Sequence, residues 1–362
     1  MLEPDDLDTW TVLERLRPRV PIEFILAPEY GPRTKPKALN AALPFARGTF
    51  TVIYDAEDRP EPGQLRAALA RFRSEDEDLA CVQSCLTIDN TADGWLARLF
   101  TAEYAAQFDL FLPGLARMGL PLPLGGSSNH FRTQALRDVG AWDPYNVTED
   151  ADLGMRMARA GYRSTVADST TYEEAPARFG PWMRQRTRWF KGWIQTWCVH
   201  MRTPIRLLRE LGFSGFATFQ LVVGGNVLAA LIHPLFLAGV IFAIATDAPV
   251  VGRNGAPAAL VWLFWTSLGA GYLISAYLGL RGLVRRRVTS SAWVLAALPL
   301  YWLMLSMAAW RALLQLAYDP HGWEKTEHGL ARNSRLAGMD GEPAAPDRPE
   351  LIVRRLPVRR AA

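Results

Sequence analysis

The chain has 362 residues, enough for one large or two medium domains. Its formal charge of +4 is too small to imply a nucleic-acid partner, and no basic stripe interleaved with aromatics occurs. Three cysteines (Cys81, Cys85 and Cys198) make neither a disulfide framework nor a zinc set, and read as small side chains in a reducing compartment. Thirteen Trp residues suit membrane interfaces and sugar faces equally. The N-terminus has no basic stretch followed by an apolar one, so it is not a signal peptide.

In chain order, residues 21–27 read as a short strand and 37–46 as a helix with Leu39, Ala42 and Leu43 inward. The β-branched and aromatic run 49–54 predicts a buried strand, which puts Asp55 at a carboxyl end, where open α/β sheets bind ligands. A helix at 60–73 and a strand at 79–86 follow. This alternation predicts an α/β fold with a mostly parallel sheet. Residues 94–111 read as a helix, Gly125-Gly126-Ser127-Ser128 as a turn, 150–160 as a helix closed by Gly161, and 179–200 as an amphipathic, Trp-rich helix or two short ones.

Three charge-free runs come next, at 214–246, 254–280 and 288–310, each long enough to span hydrocarbon. Arg202, Arg206 and Arg209 precede the first, and Arg281, Arg285, Arg286 and Arg287 follow the second. The positive-inside rule therefore keeps the soluble part and the second arginine group in the cytoplasm. A third full crossing would send the basic tail outside; either the tail does lie outside or, the preferred reading, Pro299 breaks the third run into a re-entrant or interfacial hairpin. The last stretch, 338–362, is Pro- and Arg-rich and reads as disordered.

Three clusters carry chemistry. Asp55 and Glu57, one residue apart with Asp58 beside them, can aim two carboxylates into one cleft and hold Mg2+ or Mn2+ on a diphosphate. The same residues would also serve as an acidic turn capping a helix at Pro60. Thr148-Glu149-Asp150 opens a helix; Asp150 or Glu149 suits a general base, and equally the first turn of any helix. Gln185, Arg188 and Trp189 share one helical face, where Arg188 can fork onto phosphate and Trp189 can stack on a sugar. An interfacial helix with snorkelling arginines reads the same way. The basic turn with Lys35 and Lys37 suits nucleotide phosphates or plain solvation. Gly125, Gly126 and Ser127 suit close backbone approach to a sugar or an ordinary turn. His130 reads as a structural histidine.

The order of these clusters ahead of apolar helices resembles the processive family 2 glycosyltransferases, which include cellulose, hyaluronan and chitin synthases, over roughly residues 20–330. The wording around Tyr54–Pro60, Leu124–Phe131 and Asn146–Asp152 resembles a bacterial branch. The resemblance implies a nucleotide-diphospho-sugar transferase fold of GT-A type, followed by a transmembrane helical region. It implies Asp55 and Glu57 as metal ligands, Asp150 as base with Glu149 beside it, and Gln185, Arg188 and Trp189 around the diphosphate and acceptor. The expected partners are a UDP-sugar, a carbohydrate or lipid-linked acceptor, and membrane lipids. The expected location is a bacterial inner membrane, multi-pass, with the catalytic part in the cytoplasm. Residues 1–200 would be the catalytic domain, 201–213 an interfacial segment, 214–318 the membrane region and 319–362 a cytoplasmic tail. Residues 323–329 resemble a segment that follows the last helices in this branch. Against the family pattern the chain starts at about the second strand, so the first strand and base-cradling loop are expected to be missing. That leaves one rival reading, an inactive truncated paralogue that partners an active synthase. A transporter would need ionisable groups inside its spanning runs, which contain only His233.

Overall fold

The computed structural model describes residues 9, 23–28, 31–246, 258–320, 322, 324, 331–334 and 352–354. Strand β1 (Glu23–Ile25) precedes helix α1 (Lys35–Ala42), which starts with Pro36 in its first turn, where a missing N–H costs nothing. Strand β2 (Phe50–Ile53) and a two-residue β3 (Arg59–Pro60) follow; Gly63, at φ 93°, then turns the chain into α2 (Gln64–Ser74). The helix expected from Pro60 thus begins four residues later, and Asp58 does not cap it. Strand β4 (Leu79–Ile88) leads to α3 (Trp95–Ala106), a π turn (Gln107–Phe111) and the short α4 (Leu112–Arg117). Next come β5 (Asn129–Arg132), α5 (Thr133–Asp138), α6 (Glu149–Arg159), β6 (Arg163–Glu173) and the long α7 (Phe179–His200).

The main sheet runs β2-β5-β4-β6-β3. Only β4 and β6 pair in parallel; the other three pairings are antiparallel. Where alternation predicts a mostly parallel sheet, the described strands therefore make a mixed one, because β5 inserts between β2 and β4 against both. Period and length mark a strand but do not name its neighbour. For the same reason β2, read as buried, lies at an edge and is half-exposed, while central β4 is buried along nearly its whole length. Phe100, Phe108, Leu112, Phe131 and Trp182 fill the core between this sheet and helices α3 and α7.

Helix α8 (Pro204–Phe219) is kinked at Gly212, passes through a π turn (Gln220–Gly224) and continues as α9 (Gly225–Thr246). Helix α10 (Ala258–Arg285) returns and packs on α3 through small residues: a side chain at Gly282 would meet the Ala105 backbone at 2.7 Å. Its basic end is anchored where Arg286 donates to both carboxylate oxygens of Asp109, at 2.6 and 2.7 Å, and to the Leu86 carbonyl. Among the described residues two helical stretches, Pro204–Thr246 and Thr289–Tyr318, are long and apolar enough to cross a membrane.

The second of these is a 3-10 turn (Thr289–Ala297) followed by α11 (Leu298–Tyr318). Pro299 does not break it into a hairpin; it sits in the first turn of α11, a position that favours proline. The helix lies lengthwise on α7. Tyr301 packs on Trp182 at 5.5 Å between centroids, Ala308, Ala309 and Ala312 cluster with Phe190, and Lys191 and Gln195 donate to the carbonyls of Asp319 and Pro320. Of the tail read as disordered, Ile352–Arg354 form β7, parallel to β1. Apart from Glu324, which pairs with Arg311, the expected 323–329 segment lies outside the described residues.

Candidate active site

The cleft is built at the ends of β2, β4 and β6, where the chain leaves the sheet. After β2, Asp55 is fixed by its own turn: its amide donates to Asp58 at 2.8 Å, and the Ser127 hydroxyl donates to the same Asp58 carboxylate. The Lys35 ammonium pairs with Asp55 and donates to the Gly126 carbonyl at 2.7 Å. The glycine turn is held from behind by Gln83, which accepts from the Gly125 amide and donates to the Ser127 carbonyl, both at 2.8 Å. Asp150 then approaches the turn so closely that a side chain at Gly126 would lie 3.1 Å from its Oδ2. A methyl group there would make that carboxylate, beside the Lys35–Asp55 pair, give by a few tenths of an ångström.

Helix α7 closes the opposite wall. The Gly192 position leaves no room for a side chain against Thr148, so α7 and the Thr148-Glu149-Asp150 turn are in direct contact. Asn146 ties them further, donating to Thr196 at 2.9 Å and accepting from the Thr148 amide at 3.0 Å. Gln185, Arg188 and Trp189 line the cleft, and Gln185 Oε1 is buried with no hydrogen-bond partner among the described residues. Arg186, between them in sequence, turns the other way. It makes two 2.6 Å bonds to Glu103 of α3, and its guanidinium lies 4.2 Å from the Phe100 ring centroid and 4.5 Å from that of Trp189. With only 4% of its surface exposed, it does not snorkel; it orients Trp189.

The resulting cavity, about 960 Å3, takes in Asp55, Glu57, Asp58, Glu149, Asp150, Glu173, Gln185, Arg188 and Trp189, together with Lys35, Gly125 and Gly126. Three sequence clusters far apart in the chain thus meet in one place. Two expected residues do not line it: Lys37 turns its ammonium to the Pro28 carbonyl at 2.8 Å, and Ser127 is buried beneath the turn as its support. Lys35 takes the position expected of Lys37. His130 is structural, its Nδ1 3.1 Å from the Val82 carbonyl.

The electrostatics are those of crowded acids. Burial pushes Asp58 up to about 6, despite the Ser127 hydroxyl. Burial, with Asp58 and Asp55 nearby, raises Glu173 well above its ordinary value. Burial also raises Glu149 and Asp150, against the charges of Lys35 and Arg188. Burial works against the charge of Lys35, but Asp55, Glu149 and Asp150 outweigh it and hold its pKa high. Such a site has more negative than positive charge and stands to gain from a cation. Among the described residues no group of three or more acids, histidines or cysteines forms a metal cage. Two carboxylates are nevertheless what a Mg2+- or Mn2+-diphosphate needs, since the phosphates and water supply the remaining ligands. Asp55 and Glu57 fit that set.

Sequence reading gave no role to Gln83, Glu173, Arg186 or Gly192, and offered Lys35 only as part of the basic turn with Lys37. Gln83 carried a signal, as a polar residue inside a buried strand; Glu173 carried none, because only the fold sets it beside Asp55.

Comparison with known proteins bears on the family of the chain. A probable glycosyltransferase, YdaM, of Bacillus subtilis is 25% identical over 169 residues, 46% of this chain and 40% of the relative. An N-acetylglucosaminyltransferase of Rhizobium sp. is 28% identical over 239 residues, 63% of this chain and 50% of the relative. A probable glucomannan 4-beta-mannosyltransferase of Oryza sativa is 26% identical over 144 residues, 40% of this chain and 24% of the relative. The chain thus spans half or less of the length of these curated relatives. Among solved structures, the mannosyltransferase PcManGT of Pyrobaculum calidifontis, in complex with GDP-Man and Mn2+, is 20% identical with a TM-score of 0.46, covering 81% of this chain and 69% of the other. The family described as glycosyl transferase family group 2 matches residues 50–318, most of the chain. This protein, with its GT-A-like mixed sheet, belongs to that family.

Proposed function

We propose that the protein is a membrane-bound inverting glycosyltransferase that moves a sugar from a nucleotide-diphosphate donor, a UDP-sugar first among the candidates, to an acceptor hydroxyl. The observation that carries this reading is the meeting of Asp55, Asp150 and Arg188 in one cavity. Asp55 and Glu57 would hold the divalent cation, which neutralises charge on the departing diphosphate. Arg188 shares that charge, and Gln185 Oε1 accepts a hydrogen bond from a sugar hydroxyl. Asp150, at the amino end of α6, takes the acceptor proton; its raised pKa brings it nearer the range a base needs at neutral pH. Glu149 beside it keeps a second negative charge in reserve. The names of the relatives span N-acetylglucosaminyl and mannosyl transfer, so they support a hexose-type donor without choosing the sugar.

In the membrane, the exposed residues Ile241 and Ile244 of α9 and Leu273 and Ile274 of α10 would meet lipid. Helix α11 lies along the interface, so the catalytic part and the start of the tail share the cytoplasmic side of a bacterial inner membrane.

The purified protein in detergent should release nucleoside diphosphate from UDP-glucose, UDP-N-acetylglucosamine or GDP-mannose when Mg2+ or Mn2+ is present, and chelation should stop it. No release from any of the three with cation present would refute the reading.

A further inference from the structure

The cavity does not end at the carboxylates. It continues from Trp189 between the apolar helices, and that far end is lined by Leu221, Val222, Leu278, Leu295, Leu298 and Leu305. No charged side chain lies among those six. The aromatic surfaces nearby are already in use. Trp302 packs tilted on Tyr272 at 4.6 Å between centroids and meets His233 edge-on, and the Tyr301 hydroxyl donates to Glu103 at 2.6 Å. A sugar chain entering here would meet a Trp302 ring already engaged by Tyr272 and His233, and a wall of leucines. The mouth of this end is formed by the π turn Gln220–Gly224, a widening of the helix of the kind often found at functional sites. Leu221, on that turn, lines the cavity and is also 74% exposed, on the same apolar surface as Phe213 at 82% and Leu228 at 58%. The cavity therefore opens sideways onto the belt that a bilayer would cover.

Resting on the proposed sugar transfer, we infer that the acceptor is a lipid-borne hydroxyl, whose apolar chain lies in the Leu221–Leu278–Leu305 end of the cavity while its head group reaches Asp150. The hydroxyl oxygen bonds to the anomeric carbon, the bond from that carbon to the diphosphate oxygen breaks with its electrons leaving on the nucleoside diphosphate, and the hydroxyl proton passes to Asp150. The product is a glycolipid, released into the membrane through the gap at Leu221.

The test offers the full chain, in vesicles, radiolabelled nucleotide sugar with either dioleoylglycerol in the bilayer or soluble chitotetraose in the buffer, and follows nucleoside diphosphate in parallel. Label in the lipid at ten or more times the level in the oligosaccharide is the expected result. Label only in the oligosaccharide, or diphosphate release with label in neither, overturns the lipid acceptor and leaves the transferase reading standing. No diphosphate release from any donor takes down both. Leu278→Gln should raise the KM for dioleoylglycerol at least fivefold, with Leu278→Ile as the packing control. An unchanged KM in a folded Leu278→Gln protein means the lipid chain lies elsewhere and overturns the assignment of this cavity end.

Discussion

Asp150 and Asp152 stand two positions apart on α6, and their surroundings could hardly differ more. Asp152 is almost completely buried, yet fully answered: His200 lies 3.0 Å away and Arg156 at 2.7 Å, and Arg159 links His200 to Glu210 of α8. Burial alone would raise its pKa, but the His200 hydrogen bond and the Arg156 charge hold it below the ordinary value. Asp150 takes its one strong hydrogen bond from the Ala151 amide and shares Lys35 and Arg188 with other acids, so burial wins and its pKa rises. The same residue type on the same helix has its charge answered in full at one position and left short at the other. The back network fixes the helix, and the front is left short of positive charge.

Exchanging the two acids is the strongest way to break this contrast. Asp150→Asn should lower the rate of transfer by about 10^2–10^4-fold while the protein stays folded. Asp152→Ala should instead destabilise by about 3–5 kcal/mol, because Arg156 would lose its buried partner. Donor turnover and denaturant unfolding of both variants measure this; equal losses of activity at equal stability would erase the distinction.

The two acids should also respond oppositely to pH. A raised carboxylate binds its proton more tightly when folded, so the contribution of Asp150 to stability falls as pH climbs from about 4 through its folded pKa. A lowered one, Asp152, contributes stability above about 4 that disappears as pH drops through its folded pKa.

Gly192→Ala probes the seam between the two walls. A methyl group there would strike Thr148, pushing α7 off the Glu149–Asp150 turn. A cost of about 1–3 kcal/mol is expected, with a loss of transfer beyond what stability explains. Calorimetry alongside kcat separates the two effects.

Lys35→Met should have the mildest effect. Lys35 holds the pKa values of both Glu149 and Asp150 down, so its removal should move the acid limb of the kcat/KM profile to higher pH by roughly one unit. The base must be deprotonated to act, so activity at mildly acidic pH falls first. An unmoved acid limb would mean that the Lys35 charge does not reach the base.

Much of the cleft could be read from the sequence because its acids sit at element ends, where short clusters stay recognisable. Asp55 after β2, Asp150 at the start of α6, and Gln185, Arg188 and Trp189 on one turn of α7 are such cases. Lys35 and Lys37 show where that stops. Two positions apart on a helix do not share a face, and only the packing of α1 decides which lysine meets Asp55. Glu173 and the edge position of β2 depend on which strands are neighbours, which periodicity does not encode. Pro299 was legible as a boundary, but whether it breaks or begins a helix rested on α7 lying alongside to receive α11.

That lengthwise seat has a consequence for bilayers of different thickness. On the proposed membrane arrangement, α11, held to α7 near both ends, would lie flat like a float and set the depth at which the catalytic part rides. A thicker or thinner hydrocarbon layer would then be met by tilting of α9 and α10, at fractions of a kcal/mol per ångström. The height of the acidic cleft above the lipid would stay the same from one membrane to the next.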